Sequence, residues 1–211
     1  MPTHRVLPGD CIASIAAHHD YADWQAIWDH PANAELRALR RSPSVLLDGD
    51  VVVLPDKLLA EVEVESGKLH RFRVRVPQVR LRLELNDRRG AALASRRFEI
   101  LVDGQTISGT TDASGHLDEA IPALAKEAQL RLFLDDDRVL EIPLAVGHLD
   151  PEDTTSGVRQ RLRNLGYLRE RSPGADVVER ALHEFQRDNG LEATGTADDA
   201  TRDHLRTAHK P

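Results

Sequence analysis

Gly157-Val158-Arg159-Gln160-Arg161-Leu162-Arg163-Asn164-Leu165-Gly166-Tyr167 opens the stretch that decides the C-terminal fold, residues 157–208. Val158, Leu162 and Leu165 recur at i, i+4 and i+7 on one helix face, and the following Gly166 can take the positive φ of a helix stop. Val178, Ala181, Leu182 and Phe185 repeat at i, i+3, i+4 and i+7 and predict a second helix, ended by Asn189-Gly190. A third, shorter helix is expected from Thr196 and Asp199, spaced as a capping box, with Thr201, Leu205 and Ala208 as its inward stripe.

Upstream of this helical stretch the hydrophobic period changes to two. Phe72, Val74 and Val76 alternate with arginines, and beyond Pro77 the phase flips to Val79, Leu81, Leu83 and Leu85. Phe98 to Val102 runs into Asp103-Gly104, a strong hairpin signal answered by Ile107 to Thr110. Leu130, Leu132 and Leu134 pair across Asp135 to Arg138 with Leu140, Ile142 and Leu144, so an antiparallel β-sandwich is expected over 68–147. Gly109 and Gly115 are read as positive-φ turn residues and Asp112 as an Asx-turn. His148 to Asp153 reads as a polar hinge into the final module, 156–209.

At the N-terminus, His4 to Leu7 is a short strand candidate, and Pro8-Gly9-Asp10 turns it into a helix with Asp10 as N-cap. Ile12, Ile15, Ala16 and His19 share a face, and Trp24, Ile27 and Trp28 predict a second helix closed by Pro31. Residues 31–43 hold room for an extra helix through Leu36 and Leu39. Val51 to Leu54, between Asp48-Gly49-Asp50 and Pro55, is a second strand. The result is a βααβ unit over 1–56, followed by a charged connector, Asp56 to Gly67, in which Leu58, Val62 and Val64 are candidates to begin a strand. The fold class is α+β and multidomain.

Composition bounds the function. With 28 Lys and Arg against 35 Asp and Glu, the net charge is −7, which lacks the single-sign basic field that nucleic acid requires. Cys11 is the lone cysteine, so neither an intramolecular disulfide nor a thiolate zinc cluster can form. No signal peptide and no membrane-spanning segment is read, which implies a cytoplasmic site of synthesis. His18, His19, Asp20, Asp23 and His30 are the residues a zinc ion would need, but adjacent histidines point about 100° apart on a helix, which favours a solvated helix end. Asp135, Asp136 and Asp137 lack the spaced ligands of a calcium loop and read as a turn. Arg71, Arg73, Arg75, Arg80 and Arg82 suit either an acidic partner or a solvated face protecting a sheet edge. Nucleophile elbows, metalloprotease motifs and phosphate loops are absent from the sequence, so no catalytic residue, metal or cofactor is expected.

Three resemblances follow from these residues. Gln160-Arg161-Leu162, Leu165 to Leu168, Ala181 to Gln186, Gly190-Leu191 and Gly195 through Thr201 to Leu205 resemble the peptidoglycan-binding-like helical domain of bacterial wall enzymes. That resemblance implies peptidoglycan as partner, with Tyr167, Gln186 and Gly195 as candidate contacts; the alternative is a helical packing module that has lost its ligand. Where the family carries an Asp-Gly-x-Phe-Gly-x-x-Thr turn, this sequence has Glu170 to Asp176. The first unit, through Val6, Pro8-Gly9-Asp10, Ile12, Ile15-Ala16, Trp24, Ile27, Asn33 and Leu47 to Pro55, resembles a LysM domain. LysM modules bind N-acetylglucosamine-containing glycans, and the family's groove maps onto Gly9, Asp10, Cys11, Ile12, Leu46 and Leu47, with protein docking as the other reading. Leu85-Asn86-Asp87, Phe98 to Ile100, Asp103-Gly104 and Gly109 to Gly115 resemble a transthyretin-like β-sandwich.

The order of the three is similar to accessory proteins of contractile injection machines, especially those accompanying type VI secretion spikes. It implies a non-catalytic peptidoglycan-binding or adaptor protein, with a spike or effector as protein partner and delivery to the periplasm by the secretion machine. A cytoplasmic scaffold that uses wall-binding folds for protein contacts is the alternative. A cell-wall hydrolase is a third class, for which the sequence shows no constellation.

Overall fold

The computed structural model describes residues 1–57, 63–71, 77–87, 90–135, 138–169 and 173–209. The buried side chains form three clusters: Val6 to Leu54, Phe98 to Leu132 with flanking strands, and Val158 to Leu205. Leu, Ile, Val and Ala fill most of each, so the cores are small and aliphatic.

In the first cluster β1 (Thr3–Arg5) pairs antiparallel with β2 (Val51–Val53), and the chain between them is helical. Helix α1 (Ile12–His18) is capped by Cys11, not by Asp10. The Cys11 Sγ accepts from the Ser14 N–H at 3.4 Å while Ser14 Oγ accepts from the Cys11 N–H at 2.9 Å, a capping box with sulfur in the usual oxygen's place. Asp10 is one residue too early for this role, and its carboxylate takes the Leu7 N–H instead. Ile12, Ile15 and Ala16 are buried while His19 lies past the helix end. The short α2 (Gln25–Trp28) leads through a 3-10 turn at Pro31–Asn33 into α3 (Ala34–Arg40), the extra helix; it buries Leu36, but Leu39 points outward. Asn33 stitches this layer together. Its Nδ2 donates to the Ile27 and Val53 carbonyls, and its Oδ1 accepts from the Val53 N–H, each at 2.8 Å. Burying an amide in this way is favourable only because its capacity is used.

The sandwich has a two-stranded sheet, β3 (Gln78–Glu84) with β6 (His116–Pro122), facing a four-stranded sheet. In chain order the latter comprises β4 (Arg97–Val102), β5 (Gln105–Thr110), β7 (Glu127–Phe133) and β8 (Val139–Ala145), arranged β5-β4-β7-β8. The expected hairpin pairs Val102 with Gln105, leaving Asp103 (φ 46°) and Gly104 (φ 73°) as a two-residue turn with both φ positive. Leu130 and Leu132 face Ile142 and Leu140 as the alternation required. Asp112 makes its Asx-turn, accepting from the Ser114 N–H at 2.8 Å. Gly109 departs from expectation: it sits inside β5, outside the positive-φ region, and a Cβ there would lie 2.5 Å from the Phe98 ring. It is small to admit Phe98. Strand β6 had no expectation, and the strand expected at Phe72 to Val76, like Leu58 and Val62, lies outside the described residues. Val64 belongs to no strand.

The third cluster joins α4 (Thr155–Asn164), α5 (Ala175–Asp188) and α6 (Asp199–His209). Gly166 and Gly190 take positive φ where the helix stops were expected. Helix α6 is begun by Asp198, whose Oδ1 accepts from the Thr201 N–H at 2.8 Å, so Thr196 is not its cap. Thr201 and Leu205 are buried but Ala208 is exposed. Among the described residues no helix is long and apolar enough to cross a membrane.

Candidate functional site

The C-terminal helices are organised by two buried polar side chains. Gln186, fully buried on α5, reaches the segment between α5 and α6: its Nε2 lies within 3.1 Å of Thr194 Oγ1, the Thr196 carbonyl and Thr201 Oγ1, and its Oε1 accepts from the Gly195 N–H at 2.9 Å. Gly195 is at φ 70°, and a Cβ there would lie 2.6 Å from His183. Both candidates therefore hold the 194–196 turn in place from within and are too enclosed to meet a ligand. Tyr167 remains at the surface of the module. It packs edge-on against Phe185 at 5.4 Å and donates to Asp188 at 3.3 Å, leaving part of its ring accessible beside a carboxylate. Burial and that carboxylate push its phenol above the ordinary value.

Arg161 is the second organiser, and it has no solvent exposure. Its Nη1 donates to the Asp150 carbonyl at 2.7 Å and the Gly157 carbonyl at 3.0 Å, and Nη2 faces Glu152 at 3.5 Å. Gln160 adds a second clamp, accepting from the Asp150 N–H at 2.6 Å. The expected hinge at 148–153 is thus a fastened strap, because a charged donor buried beside backbone carbonyls fixes the chain that carries them. The signal was in the helical period: Arg161 falls three residues after Val158, on the inward stripe.

The six candidate groove residues of the N-terminal module separate into three environments. Ile12 and Leu46 are core, at 0% and 5% exposure, so they support the surface without forming it. Cys11 is committed to its cap, and Leu47 is half-buried with its N–H on Asp50 at 2.9 Å. Gly9 and Asp10 are engaged by the sandwich. Lys126 Nζ donates to the Gly9 carbonyl at 2.7 Å and to Asp10 Oδ1 at 2.8 Å, and a Cβ at Gly147 would lie 2.5 Å from the Gly9 carbonyl oxygen. Burial alone would raise the Asp10 carboxyl, but Lys126, the Leu7 N–H and His4 outweigh it and hold the group below its ordinary value. One side of the expected groove is therefore a seat for another module.

The remaining candidates are surface features. Among the described residues no three His, Cys, Asp or Glu side chains converge as a metal site; His4 links His19 and Asp10 at 3.0 Å each, in a chain rather than around a centre. Arg80 and Arg82 both reach Asp118 across the β3-β6 pair, while Arg73 and Arg75 lie outside the described residues.

No curated protein and no solved structure matches the chain. Residues 153–205, which hold α4, α5, most of α6, the Gln186 network and Arg161 itself, match the family model described as "Putative peptidoglycan binding domain".

Proposed function

We propose that this chain is a non-catalytic peptidoglycan-binding protein whose C-terminal helices make the wall contact. The observation that carries the reading is the coincidence of the family match at 153–205 with a three-helix core that is complete in itself, its turn and its N-terminal strap both locked by buried hydrogen bonds. Tyr167 supplies the accessible aromatic ring on which a sugar or peptide can stack, with Asp188 as neighbouring acceptor. The reading is non-catalytic because the sequence offers no nucleophile with a base and no metal-water motif.

The finer assignment is an accessory of a contractile injection spike, which joins such a device or its cargo to the wall. The order of the three modules supports it. A scaffold role is the second reading, favoured by one contact: Lys126 on Gly9 and Asp10 turns the N-terminal module toward protein rather than glycan.

Co-sedimentation of the intact protein with purified sacculi tests the first reading. Retention that drops about tenfold with Tyr167→Ala, at unchanged circular dichroism, is the expected result. Protein that stays in the supernatant while capturing a spike component would transfer the assignment to the scaffold. Release of soluble muropeptides, lost on a single carboxylate or histidine substitution, would make it an enzyme instead.

A further inference from the structure

The N-terminal module and the C-terminal helices meet along a seam in which arginine predominates. A cavity of about 330 Å³ lies there, lined by Arg40 and Arg41 from one side and by Arg161, Arg206 and Glu152 from the other. Four carboxylates answer these four cations. Asp50 takes Arg40 in a two-bond fork at 2.7 and 2.8 Å, Glu152 is shared between Arg161 and Arg206 at 3.5 Å each, and Asp203 is shared between Arg206 at 3.0 Å and Arg41 at 3.8 Å. Asp153, the fourth, lies 3.7 Å from Arg40; like Asp203 it is more than half exposed, which weakens both pairs.

The lining of the cavity itself holds four arginines and one carboxylate, Glu152. Arg161 has no exposure, and the carboxylate its guanidinium faces, Glu152, is 3.5 Å away and divided with Arg206, with Asp150 and Asp153 acting on it as well; its Nε and that of Arg206 are buried without a hydrogen bond. A buried guanidinium so loosely paired leaves a positive potential in the space beside it. His209 registers it: burial and then Arg161 hold the imidazole below its ordinary value. Immediately adjacent, a second cavity of about 340 Å³ shares Arg40, Arg41 and Glu152 but is lined in addition by Asp153, Asp199, Asp203 and Arg202, the last 3.6 Å from Asp199. The seam therefore presents a hollow lined mainly by arginine next to one in which carboxylates and arginines alternate.

We infer that this seam binds the stem peptide of peptidoglycan, with a carboxylate against Arg206 and Arg41 in the first cavity and the free ammonium of its diamino acid toward Asp199 and Asp203 in the second. Arg206 and Arg41, at 40% and 62% side-chain exposure, are the groups a ligand can touch; Arg161 lies beneath them. A guanidinium pair suits carboxylate through planar two-point hydrogen bonding. The volumes lie at the small end of ligand sites, which fits one end of a peptide. The inference rests on the peptidoglycan reading and adds to it that the N-terminal module contributes Arg41 to the site.

The test is calorimetric titration of the intact protein with the free tripeptide L-Ala-γ-D-Glu-meso-diaminopimelate, beside the same tripeptide with its carboxylates amidated and inorganic phosphate. Saturable binding of the free tripeptide, weakened about tenfold by amidation and by Arg206→Gln with Arg41→Gln, is the expected outcome. Raising salt from about 20 to about 300 mM should weaken it further, as the ligand-facing cations are exposed. Arg206→Lys, which keeps the charge but loses the planar fork, should recover part of the loss. Phosphate binding as tightly as the tripeptide, or double-variant affinity equal to wild type at native circular dichroism, overturns the inference. Sacculus retention separates the two levels: wild-type protein that sediments with sacculi yet ignores the tripeptide sinks the seam and leaves wall binding standing, whereas loss of both removes the pair.

Discussion

Residues 63–71 and residues 148–157 each carry the chain from one core to the next, and they do so differently. Every residue of 63–71 is exposed, Leu69 at 94%, and the hydrogen bonding that Glu65 offers His70 stays within the segment. In 148–157 Pro151 and Gly157 are buried, Thr154 caps α4, and Arg161 and Gln160 hold Asp150 from both sides. The first connector leaves the position of the N-terminal module to contacts made far away in sequence, by Lys126 on Asp10 and Arg40 toward Asp153. The second builds its geometry into the chain. A charged connector in a sequence is thus compatible with a loose tether or a clasp, and what decides is whether a helix nearby turns a long donor back upon it.

The comparison breaks most severely at Arg161. Arg161→Met should cost about 4 kcal/mol in chemical denaturation, because the Asp150 and Gly157 carbonyls lose a charged donor and Glu152 loses one of its two cations. Next is Gly157→Ala, at about 3 kcal/mol: the new methyl would lie 1.9 Å from the Pro151 carbonyl oxygen, so the strap must lift. Limited proteolysis of the native protein should then cut within 63–71 at least about tenfold faster than within 148–157, an order that Arg161→Met narrows. Preferential cutting in the strap of the native protein would reverse the contrast.

The smallest effect belongs to the long-range contact. Lys126→Ala should cost about 1 kcal/mol or less, since the lysine is 42% exposed. Its signature is in pH. A carboxyl held below its unfolded value contributes stability above about pH 4, and that contribution drains as pH falls through the lower folded value. Urea midpoints at pH 7 and pH 3 should therefore differ more for the native protein than for Lys126→Ala, and equal differences would show that Asp10 is not the linked group.

Much of the fold was legible because its signals are local. The Asp103-Gly104 turn, the Leu130 and Leu132 alternation and the Val158, Leu162 stripe all follow from periods of two or 3.6 and a glycine where φ is positive. Strand β6 was not legible, since Asp118 and Glu119 interrupt its apolar residues; its inward positions are Leu117 and Ile121, and Asp118 is spent on Arg80 of the neighbouring strand. The site fared differently. Gln186 and Gly195 are organising residues of the module, but from sequence a residue that builds a turn resembles one that meets a ligand. Gly9 and Asp10 are met by Lys126, more than a hundred positions along the chain, which no local pattern encodes.

Trp24 and Trp28 are the chain's two tryptophans, and both pack in or against the N-terminal cluster, Trp28 at 8% exposure. Indole emission, which shifts to the red when water reaches the ring, is in consequence a private reporter for one third of the protein. Set beside a far-ultraviolet signal to which α4, α5 and α6 contribute heavily, it shows whether the N-terminal core opens alone or together with the rest. No label need be attached to read it.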